Sequence, residues 1–179
     1  MNIRLLEQGD AEPLVRFLRQ VPDEDRNFFK EDISDPEVAE RWLNDPRATR
    51  LIGVDDDGEI VAELAVVRGI GRSSHVGELE LIVAPGHRRR GYGRAMAERG
   101  LVEAVTLGLS LVCVQVAAEQ VALVEMFARL GFEPEALLRD FIRDRSGETH
   151  DLIVLTHHVE QAWSEMLTLG IATDVGGSS

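Results

Sequence analysis

Cysteine occurs once in these 179 residues, as Cys113, and so do lysine, as Lys30, and tyrosine, as Tyr92. A single thiol excludes an intramolecular disulfide and a tetrathiolate zinc site. A chain of this length buries roughly two-thirds of its unfolded surface without such staples. The scarcity of lysine reads as codon bias, with arginine in its place. Aromatic residues make up only 5%. No stretch approaches the ~20 apolar residues of a membrane helix. The opening residues 1–10 lack a charged start followed by an apolar run and a small-residue cleavage site. A cytoplasmic protein without a membrane partner is expected.

What is abundant is negative charge. Lys and Arg number 19 against 32 Asp and Glu, a net charge of −13. Such a surface repels nucleic acid, so no nucleic-acid partner is expected. The charge is uneven, because residues 88–99 carry five arginines and only Glu98 against them. A small basic island in an acidic chain suits a localised anionic ligand or a solvated helix end. The 44% apolar and 28% charged content is that of one globular domain.

Local patterns order the chain. Ile3–Leu6 reads as a strand. Asp10 caps a helix to Gln20 with Leu14, Leu18 and Val21 on one face. Asp35-Pro36 opens a helix to Leu43, and residues 22–34 before it are a loop or a short helix. Thr49–Val54 and Ile60–Val67 flank Asp55-Asp56-Asp57-Gly58 as a hairpin. Val76–Val83 is a third strand after the loop 69–74. A long helix runs from Gly91 to Leu107. Leu111–Val116, apolar except for Gln115, reads as a strand covered on both faces. Gln120–Leu130 is a helix stopped by Gly131. Leu137–Arg145 and Thr149–Thr156 form a last hairpin, His157-His158 begins the tail, and Glu160–Leu169 closes with a helix before a flexible end at 176–179. The order predicts an α/β (α+β) domain with a mixed, mostly antiparallel sheet and helices on both faces.

The chemistry concentrates in Glu78–Arg94, where a strand runs into Arg88-x-x-Gly91-x-Gly93 and a helix begins. Glycine lets backbone approach a ligand and take positive φ. The first N–H groups of the helix lack intrahelical partners and favour an anion. Adjacent arginines donate to phosphate oxygens. The spacing fits neither a dinucleotide fingerprint nor a Walker loop, and alone it is a weak signal, with a tight turn and solvated arginines as the lesser alternative.

The run Val83-x-Pro85-x-x-Arg88-x-x-Gly91-x-Gly93 resembles the acetyl-CoA motif of the GCN5-related N-acetyltransferases (GNAT). The stretch Ala122–Phe132, ending in Leu130-Gly131-Phe132, is similar to a second motif of that family. The likeness spans residues 3–156. It implies an acyl-CoA N-acyltransferase domain over 1–158, followed by a helix and tail over 159–179. The cosubstrate would be acetyl-CoA. The resemblance assigns pyrophosphate to Arg88, Arg89, Arg90, Gly91, Tyr92, Gly93 and Arg94. Pantetheine falls to the backbone of Leu81, Ile82 and Val83, one of whose N–H groups would face the developing oxyanion. The pattern departs at two cofactor-side positions: Gln120 stands where many members have Asn, and Phe127 where many have the Tyr that protonates the leaving thiolate. Arg139–Asp151 and Phe28-Phe29 resemble, more loosely, bacterial protein-lysine acetyltransferase domains, which places a catalytic Glu at Glu78.

A lysine-like amine, with a pKa of ~10.4, needs a base at neutral pH. Alternation places Glu78, Glu80 and Ile82 on one strand face, and a carboxylate inside a central strand needs a cleft or a partner. A symmetric hairpin across 69–74 sets Glu63 opposite Glu80, raising one pKa of the pair. Glu78, then Glu80, are the candidate bases. Cys113 reads as core rather than nucleophile, no metal site is expected, and His75, His87 and His150 read as bystanders, His87 being near the phosphates. The expected reaction is direct acetyl transfer in a ternary complex to a small amine or a protein lysine, with a homodimer left open. The alternative, suggested by Phe127, is a non-catalytic acyl-CoA-binding module.

Overall fold

The computed structural model describes residues 1–26 and 28–159. Its strands are β1 (Asn2–Leu5), β2 (Ala48–Val54), β3 (Ile60–Arg68), β4 (Val76–Val83), β5 (Leu111–Ala117), β6 (Glu133–Arg143) and β7 (Thr149–His158). The helices are α1 (Ala11–Leu18), α2 (Asp23–Arg26), α3 (Val38–Asn44), α4 (Tyr92–Thr106) and α5 (Val121–Ala128). The strands form one sheet in the order β1-β2-β3-β4-β5-β7-β6, antiparallel except for the β4–β5 pair. The α/β class, the mixed sheet and the helices on both faces are as the sequence predicts. The predicted helix over 160–169 and the end at 176–179 lie outside the described residues.

Two apolar clusters sandwich the sheet. Alternation sends Leu51, Leu64, Val66, Leu79, Val112 and Val114 to one face, under α4 and α5. It sends Ile52 and Ile82 to the other, and a bulge in β3 between Ala62 and Ile60 turns Ile60 there as well, against Leu14, Phe17 and Leu18 of α1 and Trp42 of α3. α4 lies close on β3 because Gly100 has no side chain: a Cβ there would stand 2.7 Å from the buried Leu64 Cδ2.

Several boundaries differ from expectation, each for a local reason. Asp10 is the N-cap residue of α1, but its carboxylate is taken by Arg4 and by the Glu7 N–H, closing the turn Gln8–Asp10 instead of bonding the first turn of α1. Asp35-Pro36 makes a turn in which the Asp35 carboxylate accepts the Glu37 N–H, so α3 starts only at Val38. β6 begins four positions before Leu137, and two register shifts hide its alternation. His157 and His158 are not tail. They pair with Val112 and Leu111 as the last rungs of β7, and the His157 ring meets the Gly131 carbonyl at 3.0 Å.

The β3–β4 register corrects a further expectation. The ladder runs on to Arg68↔Gly77, and the Gly69 N–H donates to the Val76 carbonyl, so the loop is 70–75. Ile82 therefore faces Glu63 and Ala65 faces Glu80. The two carboxylates share a face of the sheet, as the sequence implies, but are diagonal rather than opposite.

Candidate active site

β4 and β5 pair only from Val76↔Leu111 to Leu79↔Val114 and then part. The backbone exposed in the resulting gap follows from parity, because each residue of an antiparallel strand turns both its polar groups to one neighbour. Val76 accepts from Gly69 and Ala84 donates to Val61, so even-numbered residues of β4 bond to β3. Leu81 and Val83 turn toward the gap. Ile82 does not: its backbone is committed to β3 and its side chain to the α1–α3 core.

Beyond the gap lies the turn Pro85–His87 and then the loop into α4. Gly91, at φ +82°, is the N-cap of α4, and Arg89 also takes a left-handed conformation at φ 58°. Two such residues in three turn the chain sharply, so that the first N–H groups of α4 point outward without intrahelical acceptors. Gly93 sits where a Cβ would touch Met126, Val83 and Leu81, which keeps the floor of the gap narrow.

The arginines divide. Arg88 donates to the Val83 carbonyl at 3.1 Å and to Asp25 at 2.6 Å, tying β4 to α2. Arg94 pairs with Glu98 at 2.8 Å. Arg89 and Arg90 make no ion pair among the described residues. Arg89 and Arg94 line the cleft, whereas Arg90 is exposed outside it. Tyr92 also lies outside, stacked on His87, whose other neighbour is Asp55 at 3.8 Å. Gln120 borders the cleft as the N-cap of α5. Phe127 also borders the cleft, but it is 2% exposed and meets Phe132 edge-on, so most of its ring is core.

The cleft, of about 1730 Å³, continues past the gap onto the α1–α3 side of the sheet. Glu78 and Glu80 line it, their side chains 19% and 28% exposed. Burial raises the Glu80 pKa, opposed by Arg50 and Lys30 and assisted by Glu78 and Glu31. Lys30 reaches over from the segment after α2, its ammonium donating to Glu78 and lying 4.0 Å from Glu80. Cys113 pairs with Glu78 across the ladder, and burial beside that carboxylate pushes its thiol up to about 11, which keeps it protonated. Beneath them Arg50 stacks on the Trp42 ring at 3.9 Å and donates to the buried Glu63 at 2.8 Å. Trp42 in turn donates to Glu31.

Sequence reasoning missed Lys30, Glu31, Trp42, Arg50, Cys113 and Gln115 as cleft residues. One signal was available. Gln115 interrupts the apolar run of β5, and it is exposed in the cleft on a face where Leu111 and Cys113 are only half-buried.

Comparison with known proteins agrees with this geometry. The family model for the acetyltransferase (GNAT) family matches residues 15–132. A spermidine N(1)-acetyltransferase of Vibrio cholerae is 26% identical over 168 residues, 87% of this chain and 92% of that protein. In fold, the chain is similar to a ribosomal-protein-alanine N-acetyltransferase from Brucella melitensis, with a TM-score of 0.77 at 21% identity, covering 88% of this chain and 99% of that one. It is also similar to a GCN5-related N-acetyltransferase from Kribbella flavida, with a TM-score of 0.75 at 20% identity, over 88% and 96% of the two chains. No helix among the described residues is long and apolar enough to cross a membrane. With the strand gap, the glycine-capped loop and the family match on one stretch of chain, this protein belongs to the GNAT acetyltransferase family and is an acetyl-CoA-dependent N-acetyltransferase.

Proposed function

We propose that the enzyme moves the acetyl group of acetyl-CoA to a primary aliphatic amine on a small polycation, by direct attack in a ternary complex in the cytoplasm. The observation that carries this reading is the division of charge along one cleft. Arg89 and Arg94 flank the glycine loop, while Glu31, Glu78 and Glu80 gather beyond the strand gap, where Glu78 and Glu80 already hold the Lys30 ammonium above Arg50. A dianionic pyrophosphate suits the first end, and an ammonium suits the second. The printed name of the Vibrio cholerae relative, a spermidine acetyltransferase, makes a polyamine the first acceptor to test.

In this reading the amides of Gly91, Tyr92, Gly93 and Arg94 hold pyrophosphate, with Arg89 closing over it and Arg88 fixing the loop to α2. Leu81 and Val83 bond pantetheine along the open edge of β4, and one of their N–H groups meets the oxyanion. Glu78 takes a proton from the incoming ammonium, with Glu80 beside it. The neutral nitrogen attacks the thioester carbon, the C–N bond forms, and the C–S bond breaks. Phe127 offers no hydroxyl, so the thiolate receives its proton from water or from the acylated nitrogen. Holding both substrates in one cleft supplies much of the rate.

The test is free-thiol release from acetyl-CoA against polyamines, monoamines, lysine peptides and peptides with amino-terminal alanine. Release that depends on acceptor, and is fastest with polyamines, supports the reading. Release fastest with a peptide moves the acceptor to protein. Tight acetyl-CoA binding with no release for any acceptor overturns it.

A further inference from the structure

The acceptor end of the cleft already holds an amine. Lys30 is the one lysine of the chain. Its Nζ donates to Glu78 Oε2 and lies 4.0 Å from Glu80 Oε1. Glu78 pairs with Cys113 one rung before the β4–β5 ladder ends at Leu79↔Val114. The ammonium therefore stands at the point where the two strands begin to part.

This placement is built, not incidental. Surface lysines rarely hold one geometry, because ordering four methylenes costs entropy and an exposed ion pair returns little. Here the backbone on both sides of Lys30 is braced. Phe28 lies edge-on against His150 at 5.7 Å, and Asp32 accepts from Arg145 at 2.9 Å, so the β6–β7 hairpin fastens one side. Phe29 packs into the α1–α3 core, and Glu31 accepts from the Trp42 indole and from Arg41, so α3 fastens the other. The side chain remains 53% exposed, so its amine is screened and exchangeable rather than locked in a dry pair.

We propose that Lys30 is an acetylation site of the enzyme itself, modified in cis by its own active site. The proposal rests on the reading of Glu78 as base. Glu78 takes one proton from the Lys30 ammonium, and neutral Nζ attacks the thioester carbon of acetyl-CoA. The N–C bond forms and the C–S bond breaks. The second nitrogen proton passes to the thiolate, and the first leaves Glu78 for solvent. The products are an uncharged Nε-acetyl-lysine, CoA thiol and one proton. The amide no longer pairs with Glu78, so the reaction stops at one acetyl per chain and clears the carboxylate.

The folded chain is incubated with acetyl-CoA and no added acceptor, then followed by intact mass and peptide mapping. Lys30 is the only side-chain amine, and the amino terminus of the same chain records uncatalysed acylation. Expected is labelling of Lys30 toward one acetyl per chain, at a rate independent of enzyme dilution. The rate should fall on the order of 10²-fold or more in Glu78→Gln and in the urea-unfolded chain. Labelling of Lys30 no faster than the amino terminus, or a rate that falls with dilution, overturns the proposal. Thiol release with the amine panel runs in parallel. Amine turnover with unlabelled Lys30 overturns this inference and leaves the small-amine reading standing. A labelled Lys30 without amine turnover does the reverse, and neither signal overturns both.

Discussion

Replacing Glu63 by Gln keeps the shape of the side chain and an oxygen for Arg50, and removes only the charge. The wild-type group is fully buried, with one oxygen on Arg50 at 2.8 Å and the other without a hydrogen-bond partner among the described residues. Arg50 is equally enclosed, and its Nε also lacks a partner. Burial raises the Glu63 pKa, Arg50 lowers it, and burial prevails, so the carboxyl is pushed from 4.5 up to about 7. Between these values the folded chain holds a proton that the unfolded chain has released. The stability this group contributes is therefore complete below pH ~4.5 and is lost as pH rises through ~7. About 2.5 units at ~1.36 kcal/mol each give a swing of roughly 3 kcal/mol. The glutamine of Glu63→Gln does not titrate, and the other carboxylates cancel between the two proteins. Urea unfolding of both, followed by circular dichroism from about pH 5 to about pH 8, should show the difference drifting by about 2–3 kcal/mol in favour of the variant, the rest of the swing lying below pH ~5, with equal m-values. A difference that stays flat, with Glu63→Gln costing about 3–5 kcal/mol at every pH, would mean that Arg50 keeps the carboxyl ionised throughout, and would refute the reasoning.

Gly91→Val, which forces a branched side chain into φ +82° at the cap of α4, should weaken acetyl-CoA binding by calorimetry about tenfold or more while the domain still melts cooperatively. Unchanged affinity would remove the loop from the binding site. Glu78→Gln should lower kcat on the order of 10²–10⁴-fold with acetyl-CoA affinity nearly constant, and an unimpaired variant transfers the role to Glu80. The wild-type rate should rise with pH to a plateau without an alkaline fall near pH ~10, because Phe127 is core and the one tyrosine is stacked on His87 outside the cleft; a clear fall there would demand an acid not yet placed. Gly100→Val should cost about 1–3 kcal/mol in urea unfolding, because its Cβ meets Leu64 in a full core. A midpoint equal to wild type would show that α4 can move away from β3.

The end of the cleft proposed for acetyl-CoA is readable from the sequence because it is local. Its strand, turn and helix cap follow one another between Leu79 and Arg94, and each has a signature at fixed offsets: alternation, Pro85-Gly86, then Gly91-x-Gly93. How the arginines are spent is not readable in the same way. Arg88 is drawn to Asp25 of α2, far away in sequence, and Arg90 turns to solvent. The strand register is equally out of reach. A β3–β4 loop of 69–74 or of 70–75 moves every rung of the ladder by two, and it is the whole pairing from Ala62↔Val83 to Arg68↔Gly77, closed by the Gly69 N–H on the Val76 carbonyl, that decides between them. A two-residue shift keeps every side chain on its face, so alternation places Glu63, Glu78 and Glu80 on the right side of the sheet with the wrong neighbours.

The acceptor end is illegible for a different reason. Lys30, Trp42, Arg50, Glu63, Glu78 and Cys113 come from the segment after α2, from α3 and from four separate strands. No spacing rule joins them, and each taken alone has an ordinary explanation. Lys30 reads as codon bias, Cys113 as core, and Arg50 as one more arginine. Only the sheet order, with β2, β3, β4 and β5 adjacent, brings them onto one face. The two ends therefore rest on different constraints. Under the proposed function the glycine loop holds pyrophosphate through backbone N–H groups, a role few substitutions would leave intact. The segment 28–34 meets the end of the cleft proposed for the acceptor through side chains braced by α3 and the β6–β7 hairpin, outside the β4–α4 loop proposed for the anion. Under the proposed function, changes there are expected to alter which amine reaches Glu78 while acetyl-CoA affinity stays as it is.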